Sequence, residues 1–178
     1  MKSQLLDRIA TNLLLPRGTP ARLDWLHPAI PAGKHTSKDK EMNDAYTGGC
    51  ACGAIRYEIS AEPVFQNDCQ CRDCQRKSGT GHGSYLTFPR DGVKHSGPAT
   101  LWDMVGDSGN VKTRAFCPAC GSPVYMTFAA MPGVFTVHAA SLDDPGRYKP
   151  QAVTYAVRGH EWDFLDPALP KFDKMPPM

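Results

Sequence analysis

Seven cysteines carry most of the chemical information in this chain, and they fall in three tight groups. Cys50 and Cys52 are one residue apart, Cys117 and Cys120 enclose "CPACG", and Cys69, Cys71 and Cys74 open the stretch "CQCRDCQRKSG". Short cysteine spacings in a chain read as cytoplasmic, where thiols stay reduced, point to metal ligands before disulfides. In "CPACG" two thiolates three positions apart can grip one ion if the backbone turns between them. Pro118 pre-sets that turn, and Gly121 can take the positive φ that closes it. The pair Cys50 and Cys52 is expected in an extended strand, where residues i and i+2 face the same side. Two plus two gives a closed four-thiolate zinc site, a structural staple with no place for a substrate.

The remaining trio, Cys69, Cys71 and Cys74, supplies three thiolates and leaves three readings open. His82, Asp68 or Asp73 could add a fourth donor and make a second staple. The thiols could be metal-free, with Cys71 and Cys74 working as a redox pair. Or the fourth position could belong to water or substrate, as a catalytic zinc requires. Arg72, Arg76 and Lys77 set positive charge beside the trio and would favour an anionic ligand. Arg72, Arg76, Lys77 and the backbone at Ser78 and Gly79 are therefore the candidate contacts for a carboxylate. His82 and His138 are read as surface or core residues before proton carriers. Trp102, Trp162, Tyr125 and Phe128 are read as core.

These groups need a scaffold, and the sequence predicts a mainly β one. "AIRYEIS" alternates Ile55, Tyr57 and Ile59 against Arg56, Glu58 and Ser60, the pattern of a half-buried strand. Further strands are expected at 84–88, 100–104, 112–116, 123–128, 134–140 and 152–157, with Gly and Pro between them. Helix is expected only in a short piece beginning near Cys71 and one turn near "SLDDPGRY". With 178 residues, 41% apolar and 21% charged, the chain has the composition of a soluble globular protein. No apolar run reaches the roughly 18 residues that span a membrane.

The first 41 residues differ in kind. They hold four prolines, no cysteine, and seven Lys/Arg against four Asp/Glu; the rest holds thirteen against fourteen. A short amphipathic helix is predicted around 3–15. The functional domain is expected over 42–178, with 1–41 as an appendage. Deleting 1–41 should leave folding and metal content intact, as circular dichroism and metal analysis would record; loss of either refutes this division. The main body lacks the basic excess of a nucleic-acid binder.

Four segments in order, "GGCACGAIRYE", "CQCRDCQRKSGTGHGSYLTFPRDGV", "FCPACGSPVY" and "VHAASLDDP", resemble the glutathione-dependent formaldehyde-activating enzyme family, which also includes centromere protein V. The resemblance runs from residue 46 to about 172. It implies a β-tent fold of antiparallel sheets. It implies a structural zinc on Cys50, Cys52, Cys117 and Cys120, and a second, catalytic zinc on Cys69, Cys71 and Cys74. It also implies a carbon–sulfur lyase that adds glutathione to formaldehyde, giving S-hydroxymethylglutathione. Zinc, two ions per chain, is then the cofactor, and the partner is a small thiol rather than nucleic acid or membrane. The alternative is a non-catalytic zinc module that binds a macromolecular partner; the weak charge balance favours the enzyme.

Overall fold

The structure is a computed structural model, and it describes residues 45–177. The extension 1–41 and the helix predicted near 3–15 lie outside them. Eleven strands form two sheets among the described residues. Strands β1 (Tyr46–Gly49), β2 (Arg56–Ile59) and β5 (Val93–Ser96) make the small sheet, in the order β1-β2-β5. The larger sheet contains β3 (Phe65–Cys69), β4 (Gly83–Pro89), β6 (Thr100–Val105), β7 (Val111–Phe116), β8 (Pro123–Phe128), β9 (Val134–His138), β10 (Ala152–Thr154) and β11 (Lys171–Phe172). Its order is β11-β10-β3-β4-β9-β8-β7-β6. The mainly β architecture with antiparallel sheets is as expected. One departure is β10, which runs parallel to both β3 and β11. Among the described residues, no helix is long and apolar enough to cross a membrane.

The predicted alternation in β2 is real: Tyr57 and Ile59 are buried, Arg56 and Glu58 exposed. Tyr57 and Ile59, with Tyr46 and Ile55, pack on Leu86, Phe88, Val124, Tyr125, Phe135 and Val137 of the larger sheet. That apolar cluster joins the two sheets. Burying a Phe or Leu side chain fully is worth about 1.5–3 kcal/mol, so this layer contributes substantially to stability. The larger sheet is not half-exposed, however. Its other face carries Tyr85 and Met126, which pack on Cys69, Cys71 and Cys74, with Phe128 and Tyr155 partly buried against them.

Register shows which residues share that second face, because side chains of directly opposed residues lie on the same side. Cys69 opposes Gly83, and Asn67 opposes Tyr85. Tyr85 opposes His138, while Thr136 opposes Met126. Met126 opposes Arg114, and Arg114 opposes Trp102. Cys69, Tyr85, His138, Met126, Arg114 and Trp102 therefore line one surface running across six strands' worth of sheet.

Helix α1 (Arg72–Ser78) lies over this surface. Cys71 is its N-cap and accepts the Cys74 N–H at its sulfur, 3.4 Å away; the helix ends at Gly79, whose N–H returns to Gln75 O at 2.9 Å. Buried Gln75 fastens it, donating from Nε2 to the carbonyls of Gln70 (2.9 Å) and Arg158 (2.8 Å). The single turn expected near "SLDDPGRY" is a 3-10 turn at Pro145–Arg147, opened by Asp144 accepting from Gly146 N–H.

Two expectations fail here. The strand foreseen over 152–157 stops at Thr154, because Tyr155 adopts left-handed backbone (φ 57°) and breaks the extended path. Cys50 and Cys52 do not lie in an extended strand. Strand β1 ends at Gly49, and both cysteines sit in the β1–β2 turn, where Gly53 N–H bonds Cys50 O at 3.0 Å. Their sulfurs meet because the chain reverses, not because of strand periodicity.

Candidate metal centres and the adjoining cavity

The β1–β2 turn and the β7–β8 turn are built alike. In the second, Gly121 N–H bonds Cys117 O at 2.9 Å and Cys117 N–H bonds Ser122 O at 3.0 Å. Both turns close on a glycine with positive φ, 79° at Gly53 and 72° at Gly121, where a side chain would be strained. The Ile55 N–H points at Cys50 Sγ from 3.2 Å. The Sγ atoms of Cys50, Cys52, Cys117 and Cys120 all lie within 4.8 Å of one another. Cys50 and Cys52 are 3.5 Å apart, and Cys52 and Cys117 are 3.7 Å apart. Four sulfurs around zinc at about 2.3 Å would be separated by about 3.8 Å, so the donor set and its spacing fit a tetrahedral zinc. The set lies at the edge of the core between the two sheets, where Cys50 and Cys117 belong to the apolar cluster.

Cys69 ends β3, Cys71 caps α1 and Cys74 lies one turn into it. Their sulfurs also converge within 4.8 Å, and all three residues are buried. Among the described residues, no histidine, aspartate or glutamate joins this group. The three donors considered for the fourth place are elsewhere. His82 Nδ1 is 2.8 Å from Asp163 Oδ1, and its Nε2 is 3.7 Å from Asp68 Oδ1. Asp68 is further held by Ser84 (2.6 Å) and Tyr148 (2.9 Å). Asp73 faces a neighbouring cavity.

The trio's electrostatics suit a cation. Hydrogen bonds from Cys69 and Cys74, and the Cys74 N–H, pull the Cys71 thiol down; the same contact with Cys71, with burial, pushes Cys69 far up. One negative charge is readily held, and a second is opposed unless a cation sits among the sulfurs. Soft, buried thiolates fit zinc. Beside them lies the Tyr85 hydroxyl, buried and without a well-formed hydrogen bond; burial and the Cys74 charge raise its pKa, so it keeps its proton. Gly83 makes room for it, since a Cβ there would stand 2.3 Å from Tyr85 Oη. His138, ring to ring with Tyr85 at 4.9 Å, is buried with Nε2 unpartnered, and burial pushes its pKa well down.

On the sheet face that the trio shares opens a cavity of about 350 Å³, lined by Asp73, Arg76 and Lys77 of α1, Trp102, Arg114, Phe116 and Pro123 of the sheet, and Gly121 of the second knuckle. Of the residues weighed as carboxylate contacts, Arg76 and Lys77 line it. Arg72 does not; its Nη1 donates to Gln75 Oε1 at 3.0 Å. Ser78 and Gly79 are also outside the lining; Ser78 Oγ donates back to Gln75 O. Trp102 and Trp162 are not core: they are 54% and 61% exposed. Trp102 stands on an edge strand with its ring toward Arg114, 5.7 Å from the guanidinium carbon. Tyr125 is core, as expected. Arg114, Tyr85 and Trp102 were not recognised as site residues from sequence. The usable signal was alternation, which puts Arg114 of "KTRAF" opposite in sense to its apolar neighbour Ala115.

A family model described as glutathione-dependent formaldehyde-activating enzyme matches residues 45–158. Among solved structures, the crystal structure of a Rhodobacter sphaeroides protein is similar at TM-score 0.46 and 17% identity, covering 71% of this chain and 98% of that one. The match to the family model takes in both cysteine clusters, helix α1 and every sheet residue that lines the cavity, over well more than half of the sequence, and the chain belongs to the glutathione-dependent formaldehyde-activating enzyme family.

Proposed function

We propose that this chain is a zinc-dependent enzyme of carbon–sulfur lyase type, joining glutathione or a similar thiol to formaldehyde and splitting the same adduct in reverse. The observation that carries this reading is the group of three buried thiols that no histidine, aspartate or glutamate joins among the described residues, on the same sheet face as a cation-lined cavity. In this reading Cys50, Cys52, Cys117 and Cys120 hold a structural ion, and Cys69, Cys71 and Cys74 hold a second. Zinc bound to the trio would keep a substrate thiol as its thiolate, the nucleophilic form of a group whose free pKa is about 8.5.

The chain's own residues then have distinct work. Cys69, Cys71 and Cys74 would hold the ion with sulfurs that converge where β3 passes into α1. Met126 packs on the trio, and Phe128 and Tyr155 are partly buried against the same cluster, so the reacting sulfur would meet largely apolar surroundings. Tyr155 is held there in left-handed backbone, a conformation costing a non-glycine residue on the order of 1 kcal/mol. Forming the adduct makes one S–C bond and moves the thiol proton to the former carbonyl oxygen. Tyr85 Oη, kept protonated by its burial and lying against Cys74, would be the donor for that oxygen.

Thiols add to formaldehyde unaided, so the test measures exchange rather than yield. With glutathione and formaldehyde at equilibrium, two-dimensional NMR exchange spectroscopy should show faster interconversion of free glutathione and adduct when the zinc-loaded protein is added. Tyr85→Phe should slow it about tenfold or more while leaving folding and zinc content unchanged, since general acid–base groups contribute about 10²–10⁴-fold. No acceleration by the fully loaded wild type would remove the enzymatic reading.

A further inference from the structure

The cavity on the trio's side of the sheet holds two buried basic side chains that have no ion-pair partner among the described residues. Arg114 is buried, at 7% exposure, yet its Nε and Nη2 have no hydrogen-bond partner. The Lys77 ammonium is likewise buried and unpartnered. Both residues line the same space, and Arg76 adds a third cation at its rim. The carboxylate in the lining is Asp73, and it makes no ion pair with any of the three among the described residues. Burial, and then the Arg114 charge, push Lys77 down to about 7, while the Cys74 charge pulls it the other way.

An arrangement of this kind costs stability. Burying an unpaired charge is expensive, and a second like charge beside it adds to the cost. Such violations are tolerated where a ligand relieves them. The position is also specific. Lys77 follows Cys74 by three residues on α1, so the two share a helix face. Arg114 shares the sheet face of Cys69 and Tyr85 through the strand register already given. Trp102 and Phe116 wall the cavity with flat apolar surface that suits the carbon chain of a ligand.

We propose that Lys77 and Arg114 form an anion clamp that takes a carboxylate of the thiol substrate, so that the site selects carboxylated thiols over neutral ones. This rests on the reading of the trio as the thiol site. Arg114 offers a planar fork from Nε and Nη2, the geometry that accepts a carboxylate in two parallel hydrogen bonds. Lys77 adds a point charge from the helix side. A thiol whose carboxylate is seated here is held by two contacts, sulfur at the trio and carboxylate in the cavity, which fixes its orientation as well as its affinity.

The test uses the full zinc-loaded chain and titration calorimetry. S-methylglutathione keeps the carboxylates but caps the sulfur; glutathione diethyl ester keeps the thiol and lacks the carboxylates. Arg114→Met and Lys77→Met should each weaken S-methylglutathione by about 10- to 100-fold, the range for losing a charge-assisted hydrogen bond, and leave the diethyl ester within about twofold. If Arg114→Met fails to fold by circular dichroism, Lys77→Met on the helix carries the comparison. A second pair of probes separates this proposal from the identity of the thiol. Should glutathione and its ester both fail to bind while mercaptosuccinate outbinds 2-mercaptoethanol in an Arg114- or Lys77-dependent way, the clamp stands and the glutathione reading falls. Equal binding of carboxylated thiols by the wild type and both folded variants overturns the clamp.

Discussion

Cys117→Ser should yield a chain that no longer folds cooperatively. Cys117 is fully buried, belongs to the apolar cluster between the sheets, and is one of the four sulfurs that converge where the β1–β2 turn meets the β7–β8 turn. Structural zinc sites in small peptides contribute apparent free energies of about 10–16 kcal/mol. A whole domain is stable by only about 5–15 kcal/mol. Losing the site therefore removes as much as the fold has to spare, and the new hydroxyl is left in apolar surroundings as well. Far-ultraviolet circular dichroism and a thermal melt should show no cooperative transition at room temperature. A folded variant melting within a few degrees of the wild type would show that the four thiols are not the clip between the sheets.

Cys74→Ser should behave in the opposite way: the fold persists, zinc content falls from two ions to one, and accelerated exchange of the glutathione adduct is lost. The trio lies on the far face of the larger sheet and takes no part in the cluster that joins the sheets. Its loss frees α1 locally, and α1 keeps its Gln75 hydrogen bonds to Gln70 and Arg158. Local loosening of one short helix costs far less than global unfolding. Inductively coupled plasma mass spectrometry with a parallel thermal melt separates the two effects. If the fold collapses, both cysteine clusters are structural. If two ions remain, Cys74 is not a ligand.

The contrast between these variants follows features that the sequence displays unevenly. The knuckle at Cys117–Gly121 was legible because Pro118, the cysteine spacing and the terminal glycine act within five residues. The strand β2 was legible because one face is apolar and the other charged. The trio's convergence was suggested by the spacing of Cys69, Cys71 and Cys74 within six positions, which needs only local geometry.

Strand β3 was not legible. Its "FQNDC" is polar and does not alternate, yet four of its five residues are buried. It lies between β4 and β10, and its polar groups find partners there: Asn67 Nδ2 donates to Thr154 Oγ1 at 2.8 Å, and Asp68 accepts from Ser84 and Tyr148. Those partners are between 16 and 87 positions away, so no local pattern announces them. The same holds for the cavity. Arg114 and Trp102 face the trio only because β6, β7, β8 and β9 pair in one particular register, and register is a tertiary fact. Reading Trp102 as core followed its size; its place on the edge strand β6 leaves it exposed. Lys77 was visible from sequence because it travels on the same helix as Cys74.

Zinc K-edge X-ray absorption on the fully loaded chain, before and after adding glutathione, tests the central claim most directly. The account predicts two ions that share the seven protein sulfurs and one exchangeable light atom. Glutathione should replace that atom, leaving sulfur alone around both ions. A donor set that is already complete in protein ligands, and unchanged by the thiol, would contradict it.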